Sequence, residues 1–150
     1  KILWSEFPDR AVFVKRHPIT DVGAMMEAIR ESKHEKVYLT EMHSGVLGRV
    51  CCVTICNSFS YAIPDAWHAG CRTMEFGKYS DGVRKLAGNN SIRPEFVDSY
   101  VYYDDKLFTS ELKRLVNEGR VNRTSLNEPD EGLTDLLQYF AIKKYGQRIV

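Results

Sequence analysis

Apolar residues fall along this chain in short, separated runs, and the spacing within each run predicts its element. Ala11–Val14 predicts a short strand. Pro18 and Thr20 then open a helix with Val22, Met25, Met26 and Ile29 on one face, which ends in the polar stretch Glu31–Lys36. From Lys36 to Glu41 the alternation suits a strand, with Val37 and Leu39 on one side and Tyr38 and Thr40 on the other. Ser44–Ser58 supports two elements. Val50, Val53, Thr54 and Ile55 favour a strand, whereas Ser44 as a cap before Val46, Leu47, Val50 and Cys51 favours a helix. Tyr61–Pro64 and Arg72–Gly77 flank a Gly-containing turn and predict a hairpin, after which Ser80 opens a short helix that stops at Gly88. Phe96–Tyr103, rich in Val and Tyr, predicts a strand. Two helices follow, Thr109–Glu118 with Leu112, Leu115 and Val116, and Gly132–Tyr145 with Leu133, Leu136, Leu137 and Phe140. The fold class expected is α+β, a mixed β-sheet flanked by helices. No repeat or linker-like stretch interrupts the chain apart from a polar break at Arg120–Gly132, so 1–150 is expected to be one domain.

Composition narrows the class of function. A chain with 43% hydrophobic residues fills a core, which excludes a disordered tail. Its 21 basic and 20 acidic residues leave a net charge of +1, so any nucleic-acid contact must be local. No apolar run approaches the roughly 18 residues of a membrane span, and KILWSEF lacks the pattern of a signal peptide, so the expectation is a soluble chain without a membrane partner. A start at Lys1 suggests a fragment or a processed product. Cys51, Cys52 and Cys56 crowd together with only Cys71 elsewhere and form no CxxC pair, which favours buried thiols in a reducing compartment over disulfides or zinc. The sequons Asn89-Asn90-Ser91 and Asn122-Arg123-Thr124 are then read as chance matches.

The densest chemistry lies in Ile63-Pro64-Asp65 and Met74-Glu75-Phe76-Gly77-Lys78. On adjacent hairpin strands, Asp65 and Glu75 would meet, and two carboxylates in one pocket repel unless a divalent cation joins them. Metal-dependent nucleases use such oxygen ligands to activate water and neutralise charge on the phosphate. The plain alternative is a surface hairpin with solvated charges. Glu41, at the end of the preceding strand, supplies a third carboxylate. His43 and His68 need a partner to be catalytic, and the Cys51–Cys56 thiols lie in an apolar stretch without a base nearby.

The run Val37–Lys78 resembles the N-terminal cap-snatching endonuclease domain of the orthomyxovirus (influenza-type) polymerase PA subunit. The resemblance rests on Glu41 at a strand end, Ile55-Cys56-Asn57, Pro64-Asp65 and Glu75-Phe76-Gly77, in that order and at comparable spacing. It implies a PD-(D/E)xK nuclease-like core, with Ser44–Ser58 a helix. It also implies a two-metal RNA endonuclease using Mn2+ or Mg2+, in which Asp65 bridges two ions, Glu41 holds one, and Glu75 with the Phe76 carbonyl holds the other. Such a domain would be part of a larger viral polymerase subunit, cutting single-stranded host RNA into transcription primers beside the other polymerase subunits in the host nucleus. The family's catalytic lysine follows the Glu-bearing strand on a helix, which makes Lys85 the first candidate and Lys78 its rival.

Two departures accompany the resemblance. Where influenza-type enzymes place a metal-binding His on the first helix, His17 here precedes that helix and His34 follows it, and Glu27 falls opposite its apolar face, so the ligand is unassigned. The segment from that helix to Val37 is also short. Two other functions compete: an endonuclease-like polymerase domain without activity, and a nucleic-acid-binding winged helix, whose recognition helix and wing Leu112–Val121 resembles.

Overall fold

The computed structural model describes residues 2–17, 21–77, 79–123 and 147–148. They belong to two compact units, Lys1–Met42 with Asp130–Val150, and His43–Pro129. The class is mixed α and β, with parallel strands in two small sheets.

In the first unit α1 (Ile2–Glu6) precedes β1 (Val12–Lys15), α2 (Val22–Ser32) and β2 (Val37–Thr40). The two strands run parallel, Val12 opposite Val37 and Lys15 opposite Thr40, with α2 as the crossover. Asp21 caps α2 by accepting from the Gly23 and Ala24 N–H groups at 2.9 and 3.2 Å. Pro18 and Thr20, expected to open this helix, lie outside the described residues. Of the expected apolar face Ile29 is buried, Met25 and Met26 are half-buried, and Val22 is exposed. A short strand, β6 (Gln147–Arg148), pairs antiparallel with β2, which makes this sheet mixed as expected.

The second unit corrects two sequence expectations. Ser44–Ser58 is neither one helix nor one strand but both: α3 (Ser44–Val50) followed by β3 (Val53–Cys56). The β-branched run Val53-Thr54-Ile55 takes the extended form that suits it, so the helix implied by resemblance ends at Val50. The expected hairpin is absent. Tyr61–Pro64 enters α4 (Ala62–His68), and β4 (Arg72–Phe76) then runs parallel to β3, Val53 opposite Arg72 and Cys56 opposite Glu75. Pro64 fits there because it occupies the first helical turn, where its missing N–H has no intrahelical partner to lose. Gly70, at φ +82°, turns the chain from α4 into β4 rather than making a hairpin.

Next come α5 (Asp81–Leu86), capped by Ser80 as expected, and β5 (Ser99–Val101), which pairs parallel with β4. The sheet order β3-β4-β5 puts β4 in the middle, with Thr73, Met74 and Glu75 all buried because both faces are covered. The expected strand Phe96–Tyr103 shortens to β5 because a 3-10 turn takes Pro94–Phe96. Asp104 caps α6 (Asp105–Glu118), which starts earlier than expected, ends at Gly119 as expected and buries Phe108, Leu112 and Leu115. The expected helix Gly132–Tyr145 lies outside the described residues.

Helices α3 and α4 touch closely: a Cβ on Gly48 would lie 2.7 Å from the Ala66 Cα. Their C-terminal carbonyls converge on one side chain. Arg120 donates from Nη1 to the Gly48 and Cys51 carbonyls at 2.5 and 2.8 Å, and from Nη2 to the Ala69 carbonyl at 2.5 Å. A cation there satisfies carbonyls that a helix end leaves open and opposes the negative end of both dipoles. No described helix is long and apolar enough to cross a membrane.

Candidate functional site

Glu75 is the most constrained of the expected site residues. Its place on the central strand leaves it 0% exposed. Burying a carboxylate requires donors, and two hydroxyls supply them: Ser91 Oγ at 2.7 Å on Oε2, and the Tyr79 hydroxyl on Oε1. Among the described residues no cation pairs with it. Burial, then the Glu75 carboxylate, push the Tyr79 hydroxyl up to about 12, and the same two causes push the Cys56 thiol across the ladder up to about 12. The Tyr79 ring stacks on Tyr100 at 5.7 Å. Beside it, the Phe76 carbonyl accepts from the Ser58 N–H at 3.3 Å.

Asp65 lies in the first turn of α4, not at the end of a hairpin strand. Its Oδ2 accepts from Ser44 Oγ at 2.6 Å and has His43 Nε2 at 3.5 Å. The same imidazole caps α3, Nδ1 accepting from the Gly45 N–H at 3.2 Å, so His43 has a partner, and its second nitrogen serves the fold. Ser44 donates to Asp65 rather than to His43, so these three residues do not form a nucleophile and base pair.

Glu41 follows β2, as expected, and belongs to the first unit. It is exposed and accepts from Arg16 Nε at 2.8 Å, a hydrogen bond that holds its carboxyl below the usual range. Lys85 is exposed on α5. Lys78 lies outside the described residues. His17 and Glu27 are both exposed, Glu27 turned away from buried Ile29, and His68 lies against the Phe96 ring at 5.6 Å.

Among the described residues no three His, Cys, Asp or Glu side chains form a group able to hold a metal ion. Each expected ligand already has a partner within its own unit. The Glu75 oxygens take hydroxyls, the Phe76 carbonyl takes an N–H, Asp65 takes Ser44, and Glu41 takes Arg16.

Sequence reasoning missed several of these partners. Ser44 has the sequence signal of a helix cap, a place His43 takes, and Ser91 only that of a sequon, yet both hydroxyls serve the expected acids. A larger omission is Asp98. It accepts from Arg123 Nη2 at 2.5 and 2.6 Å, from the Thr73 N–H at 2.8 Å and from Arg72 at 3.4 Å. Arg123 also lies over the Trp67 ring at 4.4 Å. Burial alone would raise the Asp98 pKa, but Arg123 and Thr73 outweigh it and hold the carboxyl below its ordinary value. No local pattern shows this cluster, since its members are spread from Trp67 to Arg123. Comparison with protein-family models, curated proteins and solved structures finds no match to this chain.

Proposed function

We propose that this chain is a metal-dependent RNA endonuclease of a segmented negative-strand RNA virus polymerase, built on a PD-(D/E)xK nuclease-like core and cutting single-stranded host RNA for cap-snatching. The order Glu41, Ile55-Cys56-Asn57, Pro64-Asp65, Glu75-Phe76-Gly77 supports the reading. The structural observation that carries it is Glu75, a carboxylate buried near the carboxyl end of the middle parallel strand, bonded only to hydroxyls among the described residues. Carboxyl ends of parallel strands are where open α/β sheets bind ligands, and a buried carboxylate without a counter-charge gains most from an added cation. Bound Mn2+ or Mg2+ would supply water activation and charge neutralisation on the phosphate. The other polymerase subunits and the host nucleus belong to the same reading.

A second reading, an endonuclease-like polymerase domain without activity, is favoured by the engagement of Glu41, Asp65 and Glu75 with partners inside the protein. No such observation favours the winged helix. Arg120 is bound to backbone carbonyls, and Arg114 to Glu111 and Glu118.

Thermal melts with and without Mn2+, run beside a single-stranded RNA cleavage assay, separate the two. The nuclease shows a raised melting temperature and cleavage, and Asp65→Ala loses cleavage while remaining folded, because Asp65 is itself half-exposed and water can reach the Ser44 hydroxyl in its place. A chain with neither response is the inactive domain.

A further inference from the structure

Cysteines immediately before two neighbouring parallel strands carry an inference independent of the nuclease reading. The ladder pairs Val53 with Arg72 and Thr54 with Thr73, and the Arg72 N–H donates to the Cys52 carbonyl at 2.9 Å. Cys52 and Cys71 are therefore the next pair outward at the same end. Neighbouring strands run about 4.8 Å apart, inside the roughly 4.4–6.8 Å between Cα atoms that a disulfide spans. The side of the sheet is fixed as well. Cys71 Sγ lies 3.2 Å from Thr54 Oγ1, so it sits over the face of β3 that carries Thr54, and carrying the alternation of β3 back one residue beyond its start puts Cys52 on that face. The two thiols differ in access: Cys71 is 0% exposed, whereas Cys52 is only half-buried.

We propose that Cys52 and Cys71 form a peroxide-responsive dithiol, in which Cys52 takes the oxidant and Cys71 closes onto it as an intramolecular disulfide. In the first step the Cys52 thiolate attacks one oxygen of hydrogen peroxide, the O–O bond breaks, and the departing hydroxide leaves as water after taking a proton, giving Cys52 sulfenic acid. In the second, Cys71 sulfur attacks the sulfenic sulfur, the S–S bond forms, and the S–O bond breaks. The leaving hydroxide and the Cys71 proton make a second water. Two thiols are oxidised and one peroxide is reduced to two waters. Burial pushes the Cys71 thiol up to about 11, which suits a group that resolves a neighbour's sulfenic acid and does not meet peroxide first. The new bond would tie together the residues immediately before β3 and β4, across α4.

The test is peptide mapping of the folded chain after hydrogen peroxide and thiol blocking. Trypsin leaves all four cysteines on one peptide, residues 50–72, so chymotrypsin, which cuts at Phe59, Tyr61 and Trp67, is used. The expected product is a Cys52–Cys71 link, two hydrogens lighter than the reduced pair, lost on dithiothreitol treatment and absent from Cys52→Ser. Chymotrypsin leaves Cys51, Cys52 and Cys56 on one peptide, so tandem fragmentation between Cys51 and Cys52 of the linked peptide from the unsubstituted chain assigns the partner of Cys71, whether or not a variant folds. A link from Cys51 to Cys71, a disulfide between chains, or Cys52 sulfinic acid beside a free Cys71 overturns the proposal.

Discussion

Asp98 is 15% exposed and Arg123 is 7% exposed, so the pair is largely withdrawn from water. Removing one partner of such a pair leaves the other charged and unpaired, at a cost of about 3–5 kcal/mol. Asp98→Ala should lose stability on that scale in urea unfolding at neutral pH. The acid dependence has a definite sign. Because Asp98 titrates below its ordinary value when folded, its contribution is complete above the unfolded value near about 3.9 and is lost as pH falls through the lower folded value. The difference between Asp98→Asn and the parent chain should therefore shrink as the pH is lowered through that window, and a constant difference in urea titrations would remove Asp98 from the acid response. At this scale the sequence shows which residues can carry charge and not which will meet. Asp65 and Glu75 stood out as acids, but nothing near Glu75 in sequence pointed to Ser91, which reaches it through the fold. Lys85 is exposed on α5, so its loss should leave the fold intact. If it stabilises the phosphate, Lys85→Ala cuts RNA cleavage by about a hundredfold with an unchanged Mn2+ melting shift.

Helix and strand identities were legible where a local signal decides them. Ser80 and Gly119 bound helices as their chemistry predicts, because capping is settled within a turn. Strand pairing is not local. Tyr61–Pro64 is too short to show a period, and nothing in it distinguishes the arm of a hairpin from the first turn of α4. What commits this stretch to a helix is packing: Ile63 and Ala66 are fully buried, and α3 approaches through Gly48. Gly48→Ala should therefore destabilise the chain by about 1–3 kcal/mol, the usual range for an overpacked contact, since its new methyl would meet the Ala66 backbone rather than a side chain that can turn aside. A melting temperature equal to that of the parent would show that α3 shifts without cost.

At the scale of the whole molecule, parallel pairs joined by helical crossovers recur in both units, β1-α2-β2 in one and β3-α4-β4-α5-β5 in the other. The sequence showed helices and strands in this order, but their direction depends on contacts made far along the chain. The nuclease reading also makes a whole-molecule prediction. An ion that binds only the folded chain stabilises it by mass action, by roughly 2.7 kcal/mol at about 100 times its dissociation constant, so the melting temperature should climb with each addition of Mn2+. A flat profile removes the metal. The three bonds of Arg120 bear on how the protein assembles. They join positions 72, 69 and 51 residues apart, while each crossover closes over a much shorter stretch. Contacts of such long separation are made after the rate-limiting step when the shorter crossovers form the nucleus. Arg120→Ala should then quicken unfolding and leave the refolding arm of a stopped-flow chevron where it was. On that account Arg120 governs how long the second unit stays folded, while the β3-α4-β4 crossover governs how soon it folds.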